Sequence, residues 1–146
     1  MLAERLGTHA PAGDAVDEFE LVIPMGDNTE LIAANAVEEI AKRSGFSAKA
    51  VRQIKTALVE ACINATEHSL SPDRRIYQRI KADGDKLTIT VANRGLRLAD
   101  KLAAEIVPDE GRRGWGLKLM KGLMDEVRIE QSDDGTRVTL VKYRGA

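Results

Sequence analysis

Residues 74–93, RRIYQRIKADGDKLTITVAN, decide the fold. Arg74–Ala82 and Lys86–Asn93 alternate apolar and polar residues, the period of a strand with one buried face. The ADGD between them is turn chemistry, so the two runs form a hairpin. The same period returns in EVRIEQS and TRVTLVKY, joined by DDG, and in FELVIP (Phe19–Pro24), which Pro24 stops. Between the first strand and the hairpin the period changes to that of helices. DNTELIAANAVEEIAKRSG reads as one helix, capped by Asp27 or Asn28 and ended by Gly45. SAKAVRQIKTALVEACINATEHS reads as a second, with Ser47 as N-cap, and Pro72 and Asp73 make the break after it. RGLRLADKLAAEIVPDEGRRGWG (94–116) reads as a long loop or short helix. LKLMKGLMDE then reads as a helix with Leu117, Met120, Leu123 and Met124 on one side.

The order is therefore β, α, α, β, β, loop, α, β, β. Hairpin connections predict a mixed, mostly antiparallel sheet with the helices on one face: an α+β protein, a two-layer α/β sandwich. A doubly wound fold is disfavoured, because strict βαβ alternation is missing.

A length of 146 residues points to one domain. Residues 1–17, rich in Gly, Ala, Pro and acidic side chains, read as a flexible N-terminal arm ahead of a single domain over 18–146. Aromatic residues are 3% of the chain, so the core must rest on Leu, Ile, Val and Ala. A net charge of −1 gives no electrostatic case for nucleic acid or an anionic membrane. No apolar run approaches transmembrane length and the start lacks a signal-peptide pattern, so the expected location is cytoplasmic. Cys62 is the one cysteine, which rules out an internal disulfide. It falls on the apolar stripe of its helix and reads as a small buried hydrophobe rather than a reactive thiol.

That helix carries Glu60, Asn64, Glu67 and His68 on one side. At 100° per residue with Leu58 at zero, Val51, Ile54, Ala61, Cys62, Ala65 and Ser69 lie within about 60°. The four polar residues lie at roughly 180° to 280°, opposite the core. One reading is an ordinary solvated face, with Glu60 and Asn64 a surface pair and His68 a cation near the helix end. The other is a site. Val59 and Ile63 flank the polar face, which suggests that part of it is covered, and the long loop before Trp115 is available to cover it.

Two glycine-bearing segments add to this. VANRGLRL places Gly95 just after a strand, where it permits positive φ or close backbone approach. GRRGWGLKLM runs three glycines into a helix, an arrangement that offers backbone N–H groups and a positive helix end to a phosphate chain, with Arg112, Arg113 and Lys118 nearby. It can equally be a flexible loop. Neither segment fits a P-loop or a dinucleotide fingerprint, and no Cys/His cluster suggests zinc.

Taken together, EACINATEH (60–68), GWGLKLMKGLMDEV (114–127) and GTRVTLVKY (135–143) resemble motifs of the GHKL (histidine-kinase-like) ATPase superfamily, over roughly residues 18–143. Within it the chain is similar to the bacterial anti-sigma-factor serine/threonine kinases. The resemblance implies the two-layer fold of that superfamily and a cleft for ATP. It implies that Asn64 holds Mg²⁺ through its amide oxygen, and that Glu60 is the general base for a target serine hydroxyl. It implies that His68, Asn93, Gly95, Arg113, Gly114, Gly116, Leu117 and Thr136 line the nucleotide site, with Thr136 beside the adenine. The partners it implies are a sigma factor, which the kinase sequesters, and a STAS-type antagonist protein, which it phosphorylates. A homodimer is a further expectation.

The sequence departs from that pattern at NRGLR (93–97). Asn93 stands where the family has Asp, and Arg97 where it has a second glycine. An amide oxygen accepts a hydrogen bond from the adenine amino group without the charge assistance of a carboxylate, a loss of about 1–2 kcal/mol. Two readings follow: a Mg-ATP-dependent kinase, carried by Glu60 and Asn64, or a non-catalytic module on the same fold that grips protein partners with an impaired nucleotide site. A sensor histidine kinase is disfavoured, because the chain has no room for a dimerisation helix pair.

Overall fold

The computed structural model describes residues 3–6, 16–66, 73–94, 110–132 and 135–145. Its strands are β1 (Ala3–Leu6), β2 (Val16–Pro24), β3 (Arg75–Asp83), β4 (Lys86–Asn93), β5 (Glu126–Ser132) and β6 (Gly135–Tyr143). Its helices are α1 (Thr29–Arg43), α2 (Ala48–Thr66) and α3 (Glu110–Leu123). The strands make one sheet in the order β1-β2-β3-β4-β6-β5, and every neighbouring pair is antiparallel. The expected mixed character is therefore absent among the described strands.

Alternation along the strands builds the two layers. Leu21, Ile23, Ile76, Ile80, Leu87, Ile89, Val91, Val138 and Leu140 are buried on the face that meets the helices. Val37, Ile54, Leu58, Ala61 and Met120 meet them from the helical layer. Each full burial of a Leu, Ile or Val side chain contributes about 1.5–3 kcal/mol. The opposite face of the sheet is polar, with Glu20 and Arg79 paired at 2.9 Å across β2 and β3. α2 lies centrally, against β3, β4 and β6 on one side and against α1 and α3 as helical neighbours.

Helix ends follow local chemistry. Ser47 accepts the Ala50 N–H at 3.1 Å, the expected N-cap of α2. Asn28 is the N-cap of α1 but its side chain makes no cap bond. Thr29 fastens this end instead: its hydroxyl accepts the Gly26 N–H at 2.7 Å and donates to the Pro24 carbonyl at 2.8 Å. Gly45 follows α1 at φ +88°, a conformation that favours glycine.

Two elements differ from expectation. Ala3–Leu6 pairs with Glu18–Leu21, and β2 begins at Val16 rather than Phe19, so parts of residues 1–17 belong to the sheet. The reason is tertiary: β1 supplies hydrogen bonds to the edge that β2 would otherwise leave open. The second difference is α3, which starts at Glu110 and takes in the whole GRRGWG segment.

Candidate functional site

Glu60 and Asn64 sit four residues apart on α2, so both side chains leave the same face. Neither is a solvated surface group: both are half-buried, as are Val59 and Ile63 beside them. The cover is α3. A Cβ built on Gly116 would stand 3.0 Å from Glu60 Oε2 and 3.9 Å from Asn64 Oδ1. The backbone of α3 therefore approaches the two side chains as closely as the absence of a side chain allows. Two oxygen donors and a bare stretch of helix backbone face one another across the α2–α3 seam.

Of the segment 94–116, read as a long loop or short helix, the part described from Glu110 is helical. Residues 110–116 are the first two turns of α3. Each interior glycine costs about 1 kcal/mol relative to alanine. Burial of Met120 and Met124 one and two turns further on compensates, because it docks α3 against the core. Gly114 and Gly116 therefore lie within α3 rather than in a loop ahead of it. Arg113 and Gly114 are on this helical stretch, and their side-chain environment lies outside the described residues. Leu117 is half-buried and packs on the core.

Asn93 closes the other end of the site. It continues the inward row Leu87, Ile89, Val91 along β4. Its Nδ2 donates to the Ala65 carbonyl in the last described turn of α2, at 2.6 Å. Its Oδ1 accepts the Thr136 N–H of β6 at 3.0 Å. The second bond extends the β4–β6 ladder beyond Ala92–Arg137, its last backbone pair. The sequence reading named Asn93 and Thr136 as candidate site positions; the structure shows that they bond each other. His68, Gly95 and Arg97 lie outside the described residues.

Cys62, one position before Ile63, is 1% exposed. Burial, with the nearby Glu30 carboxylate, pushes its thiol up to about 12, so it stays protonated and unreactive, as its place on the apolar stripe implied. Among the described residues no cluster of three or more His, Cys, Asp or Glu is placed to hold a metal. The donors present, a carboxylate and an amide oxygen beside a helix backbone, suit a hard cation that takes few protein ligands, which is the habit of Mg²⁺.

Known proteins are similar to this chain in sequence and fold. The profile of the histidine kinase-like ATPase domain matches residues 27–142, from the start of α1 to near the end of β6. A serine-protein kinase RsbW from Bacillus licheniformis is 32% identical over 140 residues, covering 88% of this chain and 87% of its own. The RsbW of Bacillus velezensis is 29% identical over 140 residues, with the same coverage. The solved RsbU and RsbW domains of a Mycobacterium tuberculosis protein superpose with TM-score 0.64 at 23% identity, over 85% of this chain and 32% of that one. The SiaB–SiaC complex of Pseudomonas aeruginosa gives a chain that superposes with TM-score 0.61 at 12% identity, covering 84% of this chain and 87% of that one. These two likenesses bear on the fold, and the profile and the relatives on descent. By both, this chain belongs to the histidine kinase-like ATPase domain family, where its curated relatives are serine-protein kinases.

Proposed function

We propose that the chain is a Mg-ATP-dependent serine/threonine protein kinase of the anti-sigma type. In this reading it works in a cytoplasmic partner-switching system that regulates transcription, sequestering a sigma factor and phosphorylating a STAS-type antagonist protein. The observation that carries the reading is the pairing of Glu60 and Asn64 on one face of α2 under the side-chain-free backbone of Gly116. The relatives' names, serine-protein kinase, supply the reaction class.

The Glu60 carboxylate takes the proton of a serine hydroxyl delivered to the open end of the seam. The serine oxygen then bonds to the γ-phosphorus, and the bond from that phosphorus to the β-phosphate oxygen breaks, releasing ADP. Asn64 Oδ1 would hold Mg²⁺, which supplies charge neutralisation for the phosphates. The α3 N-terminal turns, with Arg113 and Gly114, give the chain's own positive groups for the phosphate chain. Gly116 and Leu117 set the height of α3 above Glu60, and Thr136 borders the base.

The test is calorimetric titration with ATP, with and without Mg²⁺, followed by phosphotransfer to a serine-bearing partner. Binding should strengthen with Mg²⁺ and be lost in Asn64→Ala. Glu60→Gln should keep ATP binding and lower transfer by about 10²-fold or more. Absence of binding at millimolar ATP would favour the second reading, a partner-binding module. The observation on that side is the commitment of both ends of the Asn93 amide to backbone groups of the protein itself.

A further inference from the structure

We propose that Asn93 is a positioning residue: its amide pins the last described turn of the site helix to the sheet, and it acts on the site through Ala65 rather than by reading a ligand. The two bonds fix the amide's orientation without ambiguity. Nδ2 faces a carbonyl, which can only accept, and Oδ1 faces a backbone N–H, which can only donate. One side chain therefore joins three elements, α2, β4 and β6. Ala65 directly follows Asn64, so the pinned carbonyl lies one residue from one site group and five from the other. Asn93 thus gives a carbonyl of the last described turn of α2 a partner from the sheet. Thr66 does not substitute, because its hydroxyl turns back to the Cys62 carbonyl at 2.9 Å.

This role needs a group that donates and accepts at once. An amide does both, and an ionised carboxylate only accepts. Aspartate at this position would set a negative oxygen against the Ala65 carbonyl. Once protonated, the same carboxyl would reproduce both bonds. Its folded pKa is therefore raised above the ordinary carboxylate value, and the clip is present at low pH and lost as pH rises through that folded pKa. The charged groups at this end of these elements are Glu60 on α2, Arg94 just after β4 and Arg137 on β6. Arg94 is stacked 4.4 Å over the Tyr77 ring, whose hydroxyl bonds Asp73. Arg137 is exposed, two positions before Thr139. Glu67 and His68, next along the chain from α2, lie outside the described residues.

The experiment uses the full chain and two variants, Asn93→Asp and Asn93→Ala. Denaturant midpoints are read from pH 7 down to pH 4. The aspartate variant should fall below wild type at neutral pH and close the gap on acidification, while the alanine variant should keep a constant gap. An aspartate variant as stable as wild type at pH 7, or one whose gap ignores pH, overturns the clip. This arm does not depend on the kinase reading. The second arm rests on it: in phosphotransfer with ATP, Asn93→Ala should lower kcat several-fold while KM for ATP stays within about twofold. A KM raised more than tenfold with kcat intact would make Asn93 a ligand-reading group and overturn the proposal. Loss of ATP binding by wild type itself would overturn the kinase reading and leave the first arm to decide the clip.

Discussion

At the scale of single residues, the candidate site depends as much on what Gly116 lacks as on what Glu60 and Asn64 supply. A methyl group at 116 would sit 3.0 Å from Glu60 Oε2, closer than side chains ordinarily approach. The obstacle is the far end of a flexible side chain, so Glu60 can swing aside and the fold survives. Helix propensity even favours the change, by up to about 1 kcal/mol. Gly116→Ala should therefore leave the denaturant midpoint unchanged or slightly raised; under the proposed function, phosphotransfer should drop by about tenfold or more, since Glu60 as base would lose its reach to the hydroxyl. A variant that lost stability and kept its rate would show that the seam merely packs two helices. The reading of Glu60 and Asn64 as a pair was available from their spacing. The closeness of Gly116 was not, because no local pattern encodes the approach of a helix 52 to 56 residues further along the chain.

At the scale of elements, legibility tracked how local the deciding force is. The Lys86–Asn93 strand was readable residue by residue, because alternation is an intrinsic signature of a half-buried strand and the burial pattern repeats it. The Ser47 cap was readable for the same reason. The start of α3 was not: glycine propensity argues for a loop at 110–116, and tertiary burial of Met120 and Met124 overrides it. β1 was missed because four residues carry little pattern and their partner is a sheet edge. Between α1 and α2 the structure adds an electrostatic tie. Glu38 accepts from Lys55 of α2 at 3.0 Å and pairs with Lys42 of its own helix at 3.2 Å. The Lys55 and then the Lys42 contacts hold its carboxyl below the usual value. A depressed folded pKa means that this tie stabilises above the unfolded value and is lost as pH falls through the folded one. The melting temperature of Glu38→Gln should thus lie slightly below wild type at pH 7 in low salt. The two should converge toward pH 3, and in high salt at pH 7, because the groups are solvent-accessible. A gap that persisted at pH 3 would assign the loss to packing instead.

At the scale of the whole molecule, one device recurs in each of the three described helices. The sheet face that meets them is apolar except at a few positions, and three of these reach up to a helix carbonyl. Gln78 of β3 donates to Ala33 of α1 at 3.2 Å, Asn93 of β4 to Ala65 of α2, and Lys142 of β6 to Leu123 at the last residue of α3. Apolar packing between helices and a sheet is non-directional and tolerates sliding. A hydrogen bond from strand to helix is directional and fixes each helix along its own axis. The three pins lie on three adjacent strands, β3, β4 and β6, so the helical layer is registered across the middle of the sheet. That register is what brings Gly116 over Glu60. Lys142 holds α3 at the end away from the site and also donates to Gln53 of α2 at 3.0 Å. Lys142→Met keeps the apolar stem and removes both bonds. It should cost about 1–3 kcal/mol in urea unfolding with an unchanged m-value, since one helix-end carbonyl and one half-buried amide lose their partner. Amide exchange should quicken in the last turn of α3 and in β5 rather than at the Asn93 end, and KM for ATP should not move. If exchange instead quickened equally at both ends, the helices would be registered by packing alone, and the polar pins would be incidental to the geometry of the site.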